Sequence, residues 1–309
     1  HINNEKCVSC GACVYQCPFG AIVDKSYIVD AIEMIKGSDQ NRNYKVYAVI
    51  APAISSQFAY AKIGQIVTGI KKLGIHEVVE AALGADMTAF KESDELMEKG
   101  FLTSSCCPAF VDFIHKNFPQ MVEHISHNLS PMAEIAKYIK ETDPTGKVIF
   151  IGPCTAKKME VKREPVNQYV DCVITFEELQ ALLDSRDIEP ENLEESPLNN
   201  ASYYGRIFAR SGGVSDAVVQ ALKEKGQDFT VKAEACDGLE ACKIALLKAN
   251  KGILDANFIE GMACVGGCIG GAACVTHGPK DKNEVDKYGK LAKETGILDS
   301  IRILELSKK

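Results

Sequence analysis

Apolar positions fall into two rhythms along the chain. Short unbroken runs at residues 46–50, 77–81, 148–151 and 172–175, with another at 258–263, predict buried strands. Between them apolar residues recur every three or four positions. Ile63, Ile66, Val67, Ile70 and Leu73 make one such helical stripe, and Gly74 is its stop. Ser130 followed by Pro131 predicts a helix start and a helix over 131–140. Residues 214–225 form another helix, closed by Gly226. Strand and helix alternate, which predicts an α/β fold with a largely parallel sheet. The polar tract 37–44 (GSDQNRNY) reads as a linker. It separates a compact cysteine-rich module with a short helix (1–36) from the α/β body (45–309). There is no fixed-period repeat and no low-complexity tract, and no apolar run is long enough for a bilayer.

Composition sharpens this picture at one residue type. Net charge is −7, which argues against nucleic acid as a partner. The 13 cysteines are an odd number in a chain too large to need disulfide staples. They sit in tight groups beside Gly and Pro, a pattern that predicts metal thiolates in a reducing cytoplasm. The start at His1 reads as a fragment of a longer chain.

Cys7, Cys10, Cys13 and Cys17 form C-x2-C-x2-C-x3-C followed by Pro18, the ferredoxin run for a 4Fe–4S cluster. Gly11 permits the tight turn. In two-cluster ferredoxins the fourth cysteine of such a run serves the other cluster. Either Cys17 closes this cluster itself, or a motif upstream of the present chain shares in the ligation.

Three further motifs lie at strand-to-helix junctions: TSSCCPAF at 103–110, GPCTAKKME at 152–160 and EGMACVGGCIGG at 260–271. Adjacent Cys106 and Cys107 must point apart, so one can bind a cluster while the other has a separate task. Cys107, Cys154, Cys264 and Cys268 supply four thiolates, enough for a second 4Fe–4S cluster. Gly266, Gly267, Gly270 and Gly271 leave room for backbone to approach a bulky inorganic group.

Behind a ferredoxin run, these three motifs in this order resemble the active-site domain of the FeFe hydrogenases from Cys7 to about Gly278. The resemblance implies a two-lobed H-cluster domain with mixed, largely parallel sheets flanked by helices, plus a small ferredoxin-like N-terminal module. It implies an H-cluster, a 4Fe–4S cube joined to a two-iron unit carrying CO, cyanide and azadithiolate. By motif position Cys107, Cys154 and Cys264 bind the cube, and Cys268 bridges it to the two-iron unit. Cys106 passes protons and Lys157 bonds a cyanide, with Lys158 beside it as the solvated member of the pair. Ala51 and Pro52 flank the other cyanide and Met262 packs on the irons. The loop Ser211–Gly212–Gly213, with Phe208 just before it, packs near the cofactor, although by itself such a loop before a helix can also cradle an anion.

The expected reaction is the reversible combination of protons and electrons to H2, with a ferredoxin-like electron carrier and H-cluster maturation proteins as partners. A buried site needs a proton route. Glu92 and Glu95, three apart on one predicted helix face, take with Ser126 the family's positions, giving the order Glu95, Ser126, Glu92, a water, Cys106. The bland reading of the two acids is a charged face, with Glu95 pairing Lys99. Departures from the family pattern mark a divergent subgroup. Gly152 stands where Met is common and removes apolar packing, Ala53 where Ser donates a hydrogen bond, and Phe110 replaces Trp. Met132 stands where some relatives are polar, and Cys274 is extra. Cys172 reads as core, Cys236 and Cys242 as structural thiols, and His76, His115, His124 and His127 as surface or satisfied polar residues. Two other readings remain, an iron–sulfur assembly protein of the same fold lacking the two-iron unit, and an H2-sensing domain.

Overall fold

A computed structural model describes residues 2–306. In chain order its strands are β1 (Val46–Ile50), β2 (Glu77–Glu80), β3 (Leu102–Thr103), β4 (Lys147–Gly152), β5 (Cys172–Thr175), β6 (Ala233–Asp237) and β7 (Phe258–Met262). The helices begin with α1 (Ala12–Tyr15), α2 (Ile28–Gly37), α3 (Ile63–Lys72), α4 (Ala81–Lys99), α5 (Pro108–Asn117), α6 (Pro131–Thr142) and α7 (Lys157–Glu160). They continue as α8 (Phe176–Asp184), α9 (Tyr203–Ile207), α10 (Gly213–Glu224), α11 (Leu239–Asn250), α12 (Asp281–Lys290) and α13 (Ile297–Leu306).

The strands form two parallel sheets, ordered β2-β1-β4-β5 and β3-β7-β6. All five strand pairings are parallel. Parallel strands covered on both faces by crossover helices read as continuous apolar runs, which is why β1, β4 and β5 were legible and are almost wholly buried. One core cluster surrounds the first sheet, and two more cover the second. Helices end where the sequence predicts. Gly74 and Gly226 both take positive φ (107° and 66°), a conformation that glycine adopts without a Cβ penalty. Ser130 precedes α6, but its hydroxyl makes no capping bond and is buried without a partner in the described structure.

The long helix α4 bridges the two lobes. It packs on α6 on one side and on α9, α10 and α13 on the other. At 19 residues it is about 28 Å long. Its N-terminal end lies against the first sheet and its middle carries Asp86, Glu92 and Glu95.

The stretch 37–44 is a tight hydrogen-bonded turn. Asn41 Nδ2 donates to Gly74 O at 3.0 Å and Tyr44 Oη to Met34 O at 2.8 Å. Ala31 of α2 is fully buried in the core of the first lobe. The cysteine-rich segment before it is fastened to the body as well. Thr155 Oγ1 donates to Ser9 O (3.0 Å), Lys116 Nζ to Cys7 O (2.6 Å), and the Tyr15 and His277 rings lie 4.2 Å apart.

Candidate functional site

The carboxyl ends of strands from both sheets open onto one chamber. β1 runs into Ala51 and Pro52, β2 into Ala81, β4 into Pro153 and Cys154, and β3 leads to Cys106, Cys107 and Pro108. Met262 ends β7, and all these residues line a cavity of ≈ 80 Å³ with almost entirely apolar walls. Ligand sites at strand carboxyl ends are the rule for open parallel sheets.

Four thiols come together at this chamber. Cys106, Cys107, Cys154 and Cys268 line it. Cys264 is not in the lining, yet its thiol lies within electrostatic reach of Cys154, Cys107, Cys268 and Cys10. Burial pushes the Cys107, Cys154 and Cys268 thiols up, Cys154 to about 11, and neighbouring thiols add to this for Cys154 and Cys268. Cys268 lines the chamber and keeps accessible surface, and surrounding protein still raises its thiol by burial. Among the described residues no three His, Cys, Asp or Glu side chains sit close enough to hold a single ion. A tetrahedral ion with 2.3 Å bonds draws its sulfurs to about 3.8 Å of one another. A four-iron cube holds its thiolates at its outer corners, further apart, and four cysteine thiols are its ordinary ligand set. Cys10, Cys107 and Cys154 all pack against the small apolar cluster of Val8, Ala109 and Ala156, which brings the N-terminal cysteine run up to the interior one.

Cys106 and Cys107 do diverge. Cys106 belongs to the cluster containing Phe208 and Met262, whereas Cys107 packs against the one formed by Val8, Ala109 and Ala156. Lys157 also lines the chamber. Its ammonium is 2.6 Å from Glu160 and donates to Cys106 O at 3.2 Å. Burial opposes its charge, but Glu160 outweighs burial and raises it above the ordinary lysine value. A buried cation, thiols and apolar walls form a donor set that fits an iron–sulfur group with an electron-rich neighbour.

The acid positions converge too. Glu92 is fully buried. Its Oε1 accepts from Ser105 N at 3.3 Å, and its Oε2 has no partner in the described structure. Burial lifts its carboxyl to about 7. Ser126 Oγ donates to Glu95 Oε2 at 3.0 Å, and the same side chain favours the charged form of Glu92. Burial works against the charge on Glu95, but Lys99, the His127 amide and Ser126 overcome it and hold its carboxyl below the usual value. The Glu95–Lys99 pair is present at 2.7 Å, so Glu95 holds the surface pairing and the bond from Ser126 together.

Several expectations change. Gly212 does not line the chamber. Its loop cradles an anion from its own chain, the Glu260 carboxylate, through Gly212 N (2.7 Å), Ser215 N (2.8 Å) and Ser215 Oγ (2.7 Å). Lys158 is not solvated. It is 4% exposed and paired with Asp24 and Glu178, because the N-terminal segment folds over it. Nor does Gly152 leave a gap, since a Cβ there would stand 2.6 Å from the Phe150 ring, which itself walls the chamber. Gly270 serves packing of the chain's own backbone, with Val265 O 2.0 Å from where its Cβ would lie. Sequence reasoning missed Phe150 and Glu160. The first carried a signal in the two-residue strand period shared with Gly152, the second in its three-residue helical spacing from Lys157.

Residues 44–272 match the family described as "Iron only hydrogenase large subunit, C-terminal domain", and residues 1–23 match the 4Fe-4S binding domain. The NADP-reducing hydrogenase subunit HndD of Solidesulfovibrio fructosivorans is 27% identical over 88% of this chain, and the chain spans 56% of that relative's length. The cytosolic Fe-S cluster assembly factor NAR1 of Kluyveromyces lactis is 37% identical over 91 residues, covering 29% of this chain and 19% of its own. Among solved structures, the E141Q variant of [FeFe]-hydrogenase HydA1 from Chlamydomonas reinhardtii shares the fold. Its TM-score is 0.76 at 20% identity, covering 92% of this chain and 94% of that one.

Proposed function

The chain belongs to the iron-only hydrogenase family, carrying the C-terminal domain of its large subunit, and from that premise we propose that it is a hydrogenase, interconverting H2 with protons and electrons at an H-cluster. One observation supports this above the others. Thiols and a buried ammonium line one apolar-walled chamber, and the buried acid Glu92 lies within electrostatic reach of Cys106 there. Cys107, Cys154, Cys264 and Cys268 would hold the cube, and Cys268 would also serve the two-iron unit. When bound, that group supplies the metal centre where protons and electrons combine.

The protein does the rest. Lys157 offers a cationic donor to a cyanide ligand, kept charged by Glu160. Met262, Phe208 and Phe150 exclude water. Cys106 holds a proton at Sγ facing the chamber. Glu92 resupplies it from Oε2 across one water, and Ser126 Oγ, bonded to Glu95, would pass protons on to Glu92. A carboxyl near 7 both takes and releases a proton at neutral pH, as such a step needs. Electrons would enter through a cluster on Cys7, Cys10, Cys13 and Cys17, beside exposed Tyr15 and Phe19 where a ferredoxin-like carrier docks. Maturation proteins would install the two-iron unit.

The local likeness to NAR1 favours a second reading, an assembly factor. Such a protein needs the cube's thiols but has no use for a buried ammonium in the chamber or for a buried acid within reach of Cys106. Infrared spectroscopy separates the readings. Protein matured with the two-iron unit should show bands from bound CO and cyanide and should turn over H2. Cubes without those bands would point to the assembly factor, and bands without turnover to a sensor.

A further inference from the structure

The contacts of Glu95 on its solvent side single out one more residue. His127 follows Ser126 directly, and its side chain is 78% exposed. Its Nδ1 lies 3.0 Å from Glu95 Oε1 and 3.3 Å from Lys99 Nζ. A carboxylate only accepts hydrogen bonds and an ammonium only donates them. Protonated Nδ1 therefore has Glu95 as its acceptor, and bare Nδ1 has Lys99 as its donor. Both states of this nitrogen are bonded with the ring in one place. Glu95 and Lys99 on α4 are the charged groups that face it. On the preceding turn Glu123 and His124 pair with each other at 3.8 Å.

We propose that His127 is the proton-loading residue of the route, taking protons from bulk water and handing them to Glu95. This rests on reading Glu95, Ser126, Glu92 and Cys106 as a proton route. Starting with the proton on Nδ1, the ring gains a proton from water at Nε2 and gives the Nδ1 proton to the Glu95 carboxylate. One proton enters, one leaves, and the ring ends neutral with Lys99 bonding its bare Nδ1. Exchange with bulk water then returns the exposed ring to its Nδ1–H tautomer, Nε2 losing one proton to solvent as Nδ1 gains one, and this resets the step with no net change in protons. Imidazole suits the task because histidine is the side chain that ordinarily changes charge near neutral pH.

Two measurements test this. The first is H2 evolution by metallated His127→Gln and His127→Ala proteins from pH 6 to 9. Glutamine keeps an N–H for Glu95, so the structural bond survives while the titrating ring is lost. Rates should fall about tenfold at pH 8, below the full worth of a general acid–base group because water still loads Glu95 slowly. The loss should shrink toward pH 6, and added imidazole should restore His127→Ala. The second is an NMR titration of the His127 ring, which does not depend on turnover. Glu95→Gln should move its midpoint down by about half a pH unit or more, since an anionic neighbour favours the charged ring. Full rates at pH 8 in His127→Gln, no rescue by imidazole, or a midpoint indifferent to Glu95 would each overturn the loading role and leave the inner route standing. Full rates in metallated Glu92→Gln would instead remove the route itself, and the loading role with it.

Discussion

Glu92→Gln should pull activity and stability in opposite directions. The native carboxyl is fully buried, with a single backbone donor at 3.3 Å and one oxygen unpartnered in the described structure. Burial raises it from 4.5 to about 7. The folded protein therefore binds more protons than the unfolded chain between those two values, and stability falls as pH rises through that window. Below about pH 4.5 the penalty is absent, and above pH 7 it is complete at about 3 kcal/mol. Glutamine never ionises, so it escapes the penalty. Its amide brings a cost of its own, about 1–3 kcal/mol if an N–H is left unpaired, but that cost does not vary with pH. Comparing variant with wild type at two pH values cancels it. From pH 5.5 to pH 8.0 the variant's relative stability should rise by about 2 kcal/mol, measured as urea midpoints at constant m. Over the same range H2 evolution should drop at least about a hundredfold, the lower end of a general acid–base contribution. A stability difference that stays flat with pH would mean the carboxylate is held as an anion by structural bonds. Near-normal rates in fully metallated Glu92→Gln and Cys106→Ala proteins would defeat the relay directly.

Other perturbations probe the chamber and its supports. Cys154→Ala should lower iron content by about four per chain, with the ferredoxin-type signal retained, as iron analysis with electron paramagnetic resonance would report. Gly152→Ala pushes a methyl to 2.6 Å from the Phe150 ring and 3.1 Å from Ala51 Cβ. It should cost about 1–3 kcal/mol in chemical denaturation, with most of that recovered in the Gly152→Ala/Phe150→Leu double variant. Arg206 is 1% exposed, bonds both Glu80 oxygens (2.7 and 3.1 Å) and anchors α9 beside Phe208, while Tyr288 also donates to Glu80. Arg206→Met strands that buried carboxylate and should cost about 3–5 kcal/mol, most of it restored by Glu80→Gln in the same chain.

What the sequence revealed depended on how local each signal was. β1, β4 and β5 announce themselves because strands covered on both faces must be apolar throughout. β6 was invisible for the opposite reason. It is an edge strand reading AEACD with exposed positions, so its residues satisfy solvent as much as the sheet. β3 is two residues long, too short for any period. The chamber's cysteines were legible because ligation needs a fixed residue type at fixed spacing. The fate of Lys158 was not, because Asp24 lies 134 residues away and only the fold brings them together. The Ser211–Gly213 loop makes the same point. Its anion-cradling geometry was readable, but its occupant, Glu260, arrives from a strand some 45 residues further on.

The position of the chamber explains why so few residue types recur in it. Five strand ends from two sheets deliver backbone to one place, and each strand is fixed by its neighbours' ladder. The first few residues beyond each strand therefore start from rigid points, which ligand geometry demands. Those residues are also past the last ladder bond, so their side chains are not committed to either face of the sheet. Cys106 and Cys107 use that freedom by diverging. Cys154, two residues beyond Gly152, and Cys264, two beyond Met262, are held at matched distances from their strands in opposite lobes. The acids Glu92 and Glu95 take the other course, lying on α4 beside the 126–128 loop. Proton-bearing groups need reach and a path to water more than fixed coordination, and α4 is the element that runs from the chamber wall at Ala81 and Ala85 to partly exposed Lys99. A substitution that tilts α4 should thus disturb proton delivery before it disturbs iron content.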